Sequence, residues 1–157
     1  MDAARLRRAT GADHAAVHRL IAVAFAPYVD RMGRRPAPMD ADFTVALNDS
    51  LVWAIEDDGR LDAVLVLEHH TDHVLVDTIA VDPAARGRGH GARLLDRAES
   101  DARELGLREV RLYTNEAMSE NLTYYPRRGY QETGRRTEDG YHRVYFRKKI
   151  SPAPFKI

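Results

Sequence analysis

Val81-Asp82-Pro83-Ala84-Ala85-Arg86-Gly87-Arg88-Gly89-His90-Gly91-Ala92-Arg93-Leu94-Leu95 runs from an apolar strand, through a glycine-rich turn, into an amphipathic helix. Glycines at 87, 89 and 91 remove the side chains that would keep backbone N–H groups away from an anion. The unpaired N–H groups of the following helix start carry the positive end of its dipole. Arg86 and Arg88 add charge at the same place. The stretch reads as a phosphate cradle. It is not a P-loop, because Ala92, Arg93 and Leu94 follow Gly91 where a Lys and then a Ser or Thr are needed. A dinucleotide fold would put the glycine turn after the first strand of a βαβ unit, with an acidic residue about 20 residues further on. Here the turn falls past mid-chain, behind a run of strands. The plain alternative is a basic, glycine-rich connection, and only context decides against it.

That context is an ordered succession of elements. Ala4 to Arg8 is strand-like, and Thr10-Gly11-Ala12-Asp13 offers a turn and N-cap to a helix over Asp13 to Ala26. Its apolar positions Val17, Leu20, Ile21, Ala24 and Phe25 recur at three and four, and Pro27 stops it. Asp30 to Met39 lacks periodicity and reads as a loop. A short helix is expected from Asp40 to Leu47, with Asp40 as its cap. Leu51 to Glu56, Asp62 to Glu68 and Val74 to Val81 read as an antiparallel meander, turned at Asp57-Asp58-Gly59-Arg60 because Asp-Gly tolerates positive φ. A helix follows from Gly91 to Leu105, with Gly106 beyond its end. Val110 to Thr114 then completes a strand–helix–strand crossover with parallel pairing. A last short helix precedes a hairpin of Tyr130 to Arg135 and Tyr141 to Lys148, turned at Glu138-Asp139-Gly140. Ser151-Pro152-Ala153-Pro154 opens a loose tail.

Composition narrows the class. At 157 residues with 44% hydrophobic content the chain suits one core, and we expect a single domain over residues 1–150 with a tail over 151–157. The 24 basic and 24 acidic residues cancel, so there is no global pull toward nucleic acid or an anionic membrane, and phosphate binding has to be local. Without cysteine there is no disulfide scaffold, thiolate metal site or cysteine acyl-enzyme. Met1 to Thr10 has no apolar core and no run of 18 apolar residues occurs, so the expected address is cytoplasmic.

Residues 78–95 resemble the acyl-coenzyme A motif of the GCN5-related N-acetyltransferase superfamily: Arg or Gln, two residues, Gly, one residue, Gly or Ala. Arg86, Gly89 and Gly91 fill it. The likeness continues upstream through Ile79-Ala80-Val81-Asp82-Pro83. Downstream it takes in Asn121-Leu122-Thr123-Tyr124-Tyr125-Pro126-Arg127-Arg128-Gly129-Tyr130, an Asn and then a Tyr four residues before Gly-aromatic. It covers roughly residues 4–149, with its specific part at 77–130. It implies an α/β fold: a mixed, mostly antiparallel twisted sheet of about seven strands with one splayed parallel pair, flanked by about four helices.

The resemblance further implies an acetyl-coenzyme A-dependent N-acetyltransferase. Pantetheine amides would pair with the main chain of Ile79, Ala80 and Val81 like an added strand. The pyrophosphate would lie over Gly87, Gly89, His90, Gly91 and Ala92, with Arg86 and Arg88 at its rim. Asn121 would bond the cofactor; otherwise it caps the short helix. Tyr125 stands where the family's general acid does, and a phenol is protonated at neutral pH and can donate to the departing thiolate. Pro126 departs from the family pattern and leaves open whether Tyr124 or Tyr125 faces the thioester.

Asp77, a carboxylate in an apolar strand, stands where many relatives carry the base, with Glu68, His69 and His70 as competitors. His69, His70 and His73 have possible metal spacing but no carboxylate in register, so no metal is expected. The acceptor, a small-molecule or peptide amine, would be chosen by Met32 to Met39 with Arg31, Arg34 and Arg35, and by the final hairpin with Tyr141 and His142. No nucleic-acid or membrane partner is expected, and a homodimer through the last hairpin's edge stays open. A non-catalytic acyl-coenzyme A sensor, with Tyr125 and Asp77 structural, is the competing reading.

Overall fold

A computed structural model describes residues 4–151; residues 1–3, and the expected tail from Pro152 onward, lie outside the described residues. The strands are β1 (Arg5–Arg8), β2 (Val52–Asp57), β3 (Arg60–His69), β4 (Val74–Val81), β5 (Glu109–Asn115), β6 (Gln131–Glu138) and β7 (Tyr141–Lys149). The α-helices among the described residues are α1 (His14–Phe25), α2 (Tyr28–Met32), α3 (Thr44–Asn48), α4 (His90–Glu104) and α5 (Ser119–Arg127), in line with the expectation of about four. The sheet order is β1-β2-β3-β4-β5-β7-β6. Its one parallel pair is β4 with β5 over Val74–Val76 and Val110–Leu112, as the crossover predicts. The chain divides into two compact units, one reaching to Glu68 and resuming over Asp77–Asp96, the other joining His69–Val76 to the chain from Arg97 onward.

In the first unit, Val17, Leu20, Ile21 and Ala24 of α1 pack with Phe43, Leu47, Val52, Ala54, Val64 and Val66. The three-and-four spacing of α1 is thus spent on one buried face. The hairpin between β2 and β3 turns at Asp58 and Gly59, with φ of 52° and 76°, the pair of positive values that a two-residue turn of this hand requires. Ile55 faces Ala63 and Glu56 faces Leu61, so Asp62 is an extra residue in β3, a β-bulge.

Two expectations fail in this unit. The segment read as a loop, Asp30 to Met39, contains the end of α2 and a 3₁₀ turn over Ala37–Asp40. Both are too short to show a period, and Pro36 and Pro38 suit a tight turn's start while mimicking loop composition. The helix expected from Asp40 begins only at Thr44, because Asp42, not Asp40, accepts from the Thr44 N–H at 3.0 Å.

The start of α1 is tied to the sheet by charge. The Asp13 carboxylate accepts from the Thr10 N–H at 2.8 Å and takes the Arg7 guanidinium as a fork at 2.9 Å on both oxygens. Arg7 also reaches Glu56 at 3.2 Å. Hydrogen bonding to Arg7 holds the Asp13 carboxyl below its ordinary value of 3.8.

In the second unit, β7 lies between β5 and β6. Leu112 faces Phe146 and Thr114 faces Val144 on a buried side, while Tyr113 faces Tyr145 on the other, their rings 5.5 Å apart. The β6–β7 turn repeats the positive-φ pair at Asp139 and Gly140, 51° and 81°. Gly106, at φ 73°, ends α4, and the Leu107 N–H bonds the Ala102 carbonyl at 2.8 Å.

Asp13→Asn is expected to lower stability by about 1 kcal/mol at pH 7, because the amide loses the charge that the Arg7 guanidinium pairs with. Because the folded-state value is depressed, this contribution is present above 3.8 and lost as pH falls below it. Denaturant melts of both proteins at pH 7 and pH 3 should therefore show the gap narrowing in acid.

Candidate functional site

The turn that follows β4 in the first unit is built to present backbone. Asp82 caps a short 3₁₀ turn, Pro83–Ala85, by accepting from the Ala84 N–H at 2.9 Å. Gly87 and Gly89 then take φ of 81° and 79°, left-handed values that strain any residue with a Cβ. A Cβ built on either would meet nothing within 4 Å, so the turn is open on that side. Gly91 lies inside α4 and has no positive φ, so its service is a small first turn of helix. Among the described residues, no backbone carbonyl accepts from the N–H groups of Gly87 through Ala92, while the Arg93 N–H already bonds the Gly89 carbonyl at 3.0 Å. These unpaired donors stand at the positive end of a fifteen-residue helix. An exposed, open, donor-lined turn of this kind fits a diphosphate.

The two arginines differ. Arg86 is exposed and has no ion pair among the described residues, so it is available to an anion. Arg88, half exposed, leans inward, with Nη1 3.6 Å from Asp57 and 3.7 Å from Asp62. His90 leans inward too: its ring is buried, Nε2 lying 3.6 Å from Asp62 Oδ2, so toward an anion it can offer only main chain. Asp62 was legible only as the first residue of a strand; its side chain is fully buried. The signal that could have found it is an aspartate inside the otherwise apolar run Leu61 to Leu67.

Along β4 the burial alternates. Val74, Val76, Thr78 and Ala80 are buried, while Leu75, Asp77, Ile79 and Val81 are half-buried on the opposite face. Asp77 therefore shares a face with Ile79 and Val81. The other base candidates stand apart from it in character. Glu68, His69 and His70 are exposed; the His70 ring stacks on His73 at 4.4 Å, and His73 Nδ1 lies 2.6 Å from Asp72. This is a hydrogen-bonded turn, and no metal-holding cluster occurs among the described residues.

In the second unit α5 carries Asn121 and Tyr125, four residues apart on one face. Tyr125 is 6% exposed, its ring against Tyr130 and Phe146 at 5.9 and 5.8 Å, whereas Tyr124 is 37% exposed. Pro126 does not break α5. It falls in the last turn, and the Arg128 N–H closes the helix on the Tyr124 and Tyr125 carbonyls. Asn121 is not a cap. Its Nδ2 donates to Thr114 Oγ1 at 3.0 Å, and Asn115 supplies the nearby turn by accepting from the Ala117 N–H at 2.9 Å.

A groove of about 240 Å³ on the hairpin is lined by Glu116, Arg135, Thr137, His142 and Val144, among others. His142 lines this groove and Tyr141 does not. Of the arginines expected to draw an acidic acceptor, Arg35 is paired with Asp40 at 3.0 Å and Arg31 covers the Tyr28 ring at 5.0 Å.

Comparison with known proteins gives the same fold. The PaiA N-acetyltransferase from Thermoplasma acidophilum, in complex with coenzyme A, superposes with a TM-score of 0.79 at 16% identity, over 95% of this chain and 100% of that one. The ribosomal-protein-S18-alanine N-acetyltransferase from Escherichia coli gives 0.77 at 18% identity, over 99% of both chains. Nourseothricin acetyltransferase gives 0.60 at 25% identity, over 64% of this chain and 65% of that one. No protein with a curated description matches the sequence. The sequence model of the acetyltransferase (GNAT) family matches residues 15–130, which contain both the glycine turn and Tyr125, and the chain belongs to that family.

Proposed function

We propose that this protein is an acetyl-coenzyme A-dependent N-acetyltransferase that passes the acetyl group directly to a primary amine of a small molecule or peptide. The observation that carries the reading is the open turn at Gly87 and Gly89 with its unpaired N–H groups. Family membership and the coenzyme A bound to the PaiA enzyme support it.

Acetyl-coenzyme A, when bound, supplies an activated thioester. The chain's own residues then divide the work. Main-chain N–H groups of Gly87, Gly89, His90, Gly91 and Ala92 hold the diphosphate, with Arg86 adding charge and Arg88 at the rim. Ile79, Ala80 and Val81 offer main-chain partners to the pantetheine amides. Asn121, held by Thr114, orients toward the cofactor through its remaining amide capacity. Tyr125 donates its phenolic proton to the departing sulfur. Asp77 takes the proton of the incoming amine, directly or through water, in preference to the exposed Glu68, His69 and His70. The chain works as a single catalytic domain in the cytoplasm.

Tyr125→Phe is expected to lower turnover about a hundredfold, the scale of a lost general acid, with coenzyme A affinity unchanged. Thiol release across an amine panel, beside calorimetric titration of coenzyme A, measures both. Binding without turnover on any amine would instead favour a sensor.

Gly89→Val is expected to weaken coenzyme A binding more than tenfold, since a left-handed β-branched residue costs roughly 1–2 kcal/mol and its side chain fills the open side of the turn. Unchanged affinity in the folded variant would remove the diphosphate from this turn.

A further inference from the structure

The glycine turn rests on a buried carboxylate. Asp62 is the bulged residue of β3, and the extra residue turns its side chain out of the pairing with β2. Its exposure is 0%, a costly place for a charge unless cations and donors surround it. Two guanidinium groups and an imidazole do. Arg60 Nε donates to Oδ1 at 3.1 Å. Oδ2 faces His90 Nε2 at 3.6 Å and Arg88 Nη1 at 3.7 Å. Both Asp62 Oδ2 and His90 Nε2 are buried without a hydrogen-bond partner among the described residues, and they lie 3.6 Å apart. The main chain of the same residue serves the other end of the turn: the Asp62 carbonyl accepts from the Asp82 N–H at 2.8 Å.

Asp62 therefore grips the stretch from Asp82 to His90 at both ends, the entry through its carbonyl and the exit through its carboxylate. Between the two grips lie Gly87 and Gly89, the most conformationally free residues of the stretch. Without an anchor at His90 the first N–H groups of α4 would be free to turn away from an anion. A carboxylate so close beneath an anion site would also repel the anion unless Arg60 and Arg88 offset it, so its place there needs a reason beyond charge.

We propose that Asp62 is a positioning residue for diphosphate recognition, acting through His90 and Arg88 to hold the glycine turn with its N–H groups outward. This rests on the acetyl-coenzyme A reading above and adds to it a specific residue outside the turn. It does not touch the cofactor.

The test is a double-mutant cycle read by calorimetric titration of coenzyme A into wild type, Asp62→Asn, His90→Gln and the double variant. Each single change is expected to weaken binding about tenfold, the scale on which side chains in direct contact are coupled. The double variant should lose no more than either single one, because both changes break the same link. Losses that multiply in the double variant would mean two separate structural defects and overturn the proposal. Unchanged or tighter binding in Asp62→Asn would also overturn it, since the carboxylate would then only repel the anion. If Asp62→Asn fails to fold, His90→Gln decides by itself: a tenfold loss with an unchanged melting temperature supports the link, and wild-type affinity refutes it. No binding by wild type would instead sink the cofactor reading, and this proposal with it, a result distinguishable from a failure of Asp62 alone.

Discussion

A set of backbone N–H groups that nothing among the described residues satisfies is the constraint around which the first unit is arranged. Buried backbone donors are almost always paired, so unpaired ones have to face outward, at a helix start, where an anion can take them. Two left-handed glycines deliver that geometry, and no side chain stands over them. Everything upstream serves to fix where the turn begins and ends. The β2–β3 hairpin supplies the bulge at Asp62, β4 supplies the entry at Asp82, and Leu94 and Leu95, fully buried, secure the helix that follows. In the proposed function the anion is recognised by main chain, and side chains hold that main chain in place.

The second unit is organised on a different principle, packing of aromatic rings. Tyr125 is fixed by Tyr130 and Phe146, and Phe146 is fixed in turn by its register opposite Leu112. Asn121 is fixed by Thr114, which faces Val144. A phenol restrained in this way loses little freedom, which suits the proton-donor role proposed for it. The outer face of the same strands carries Arg143 over Tyr113 and Arg136 over Tyr145, at 4.7 and 4.9 Å, so cations there are absorbed by rings and by Glu138.

Much of this was legible from residues alone, and the reasons differ by element. α1 and α4 were readable because a long amphipathic helix states its period over several turns. Both hairpins were readable because Asp-Gly at a two-residue turn has few other uses. The glycine turn was readable because glycine spacing, arginines and the following apolar period all agree. α2 and the 3₁₀ turn at Ala37–Asp40 were not, since a single turn of helix has no period and Pro36 and Pro38 look like loop. Pro126 misled in the other direction: its effect depends on whether a carbonyl four residues back needs its N–H, and at the last turn of α5 little is lost. Asp62 was hidden for a third reason. A bulge is a property of two strands together, and no reading of β3 by itself reveals that one of its residues has no partner on β2.

The account is tested most directly by following backbone amide signals in nitrogen-15-labelled protein while coenzyme A is titrated in. It predicts that the largest shifts fall on Gly87, Gly89, His90 and Gly91, with the amide of Gly106, at the far end of α4, barely moving. Saturable binding that leaves the signals of residues 87–91 in place would contradict it.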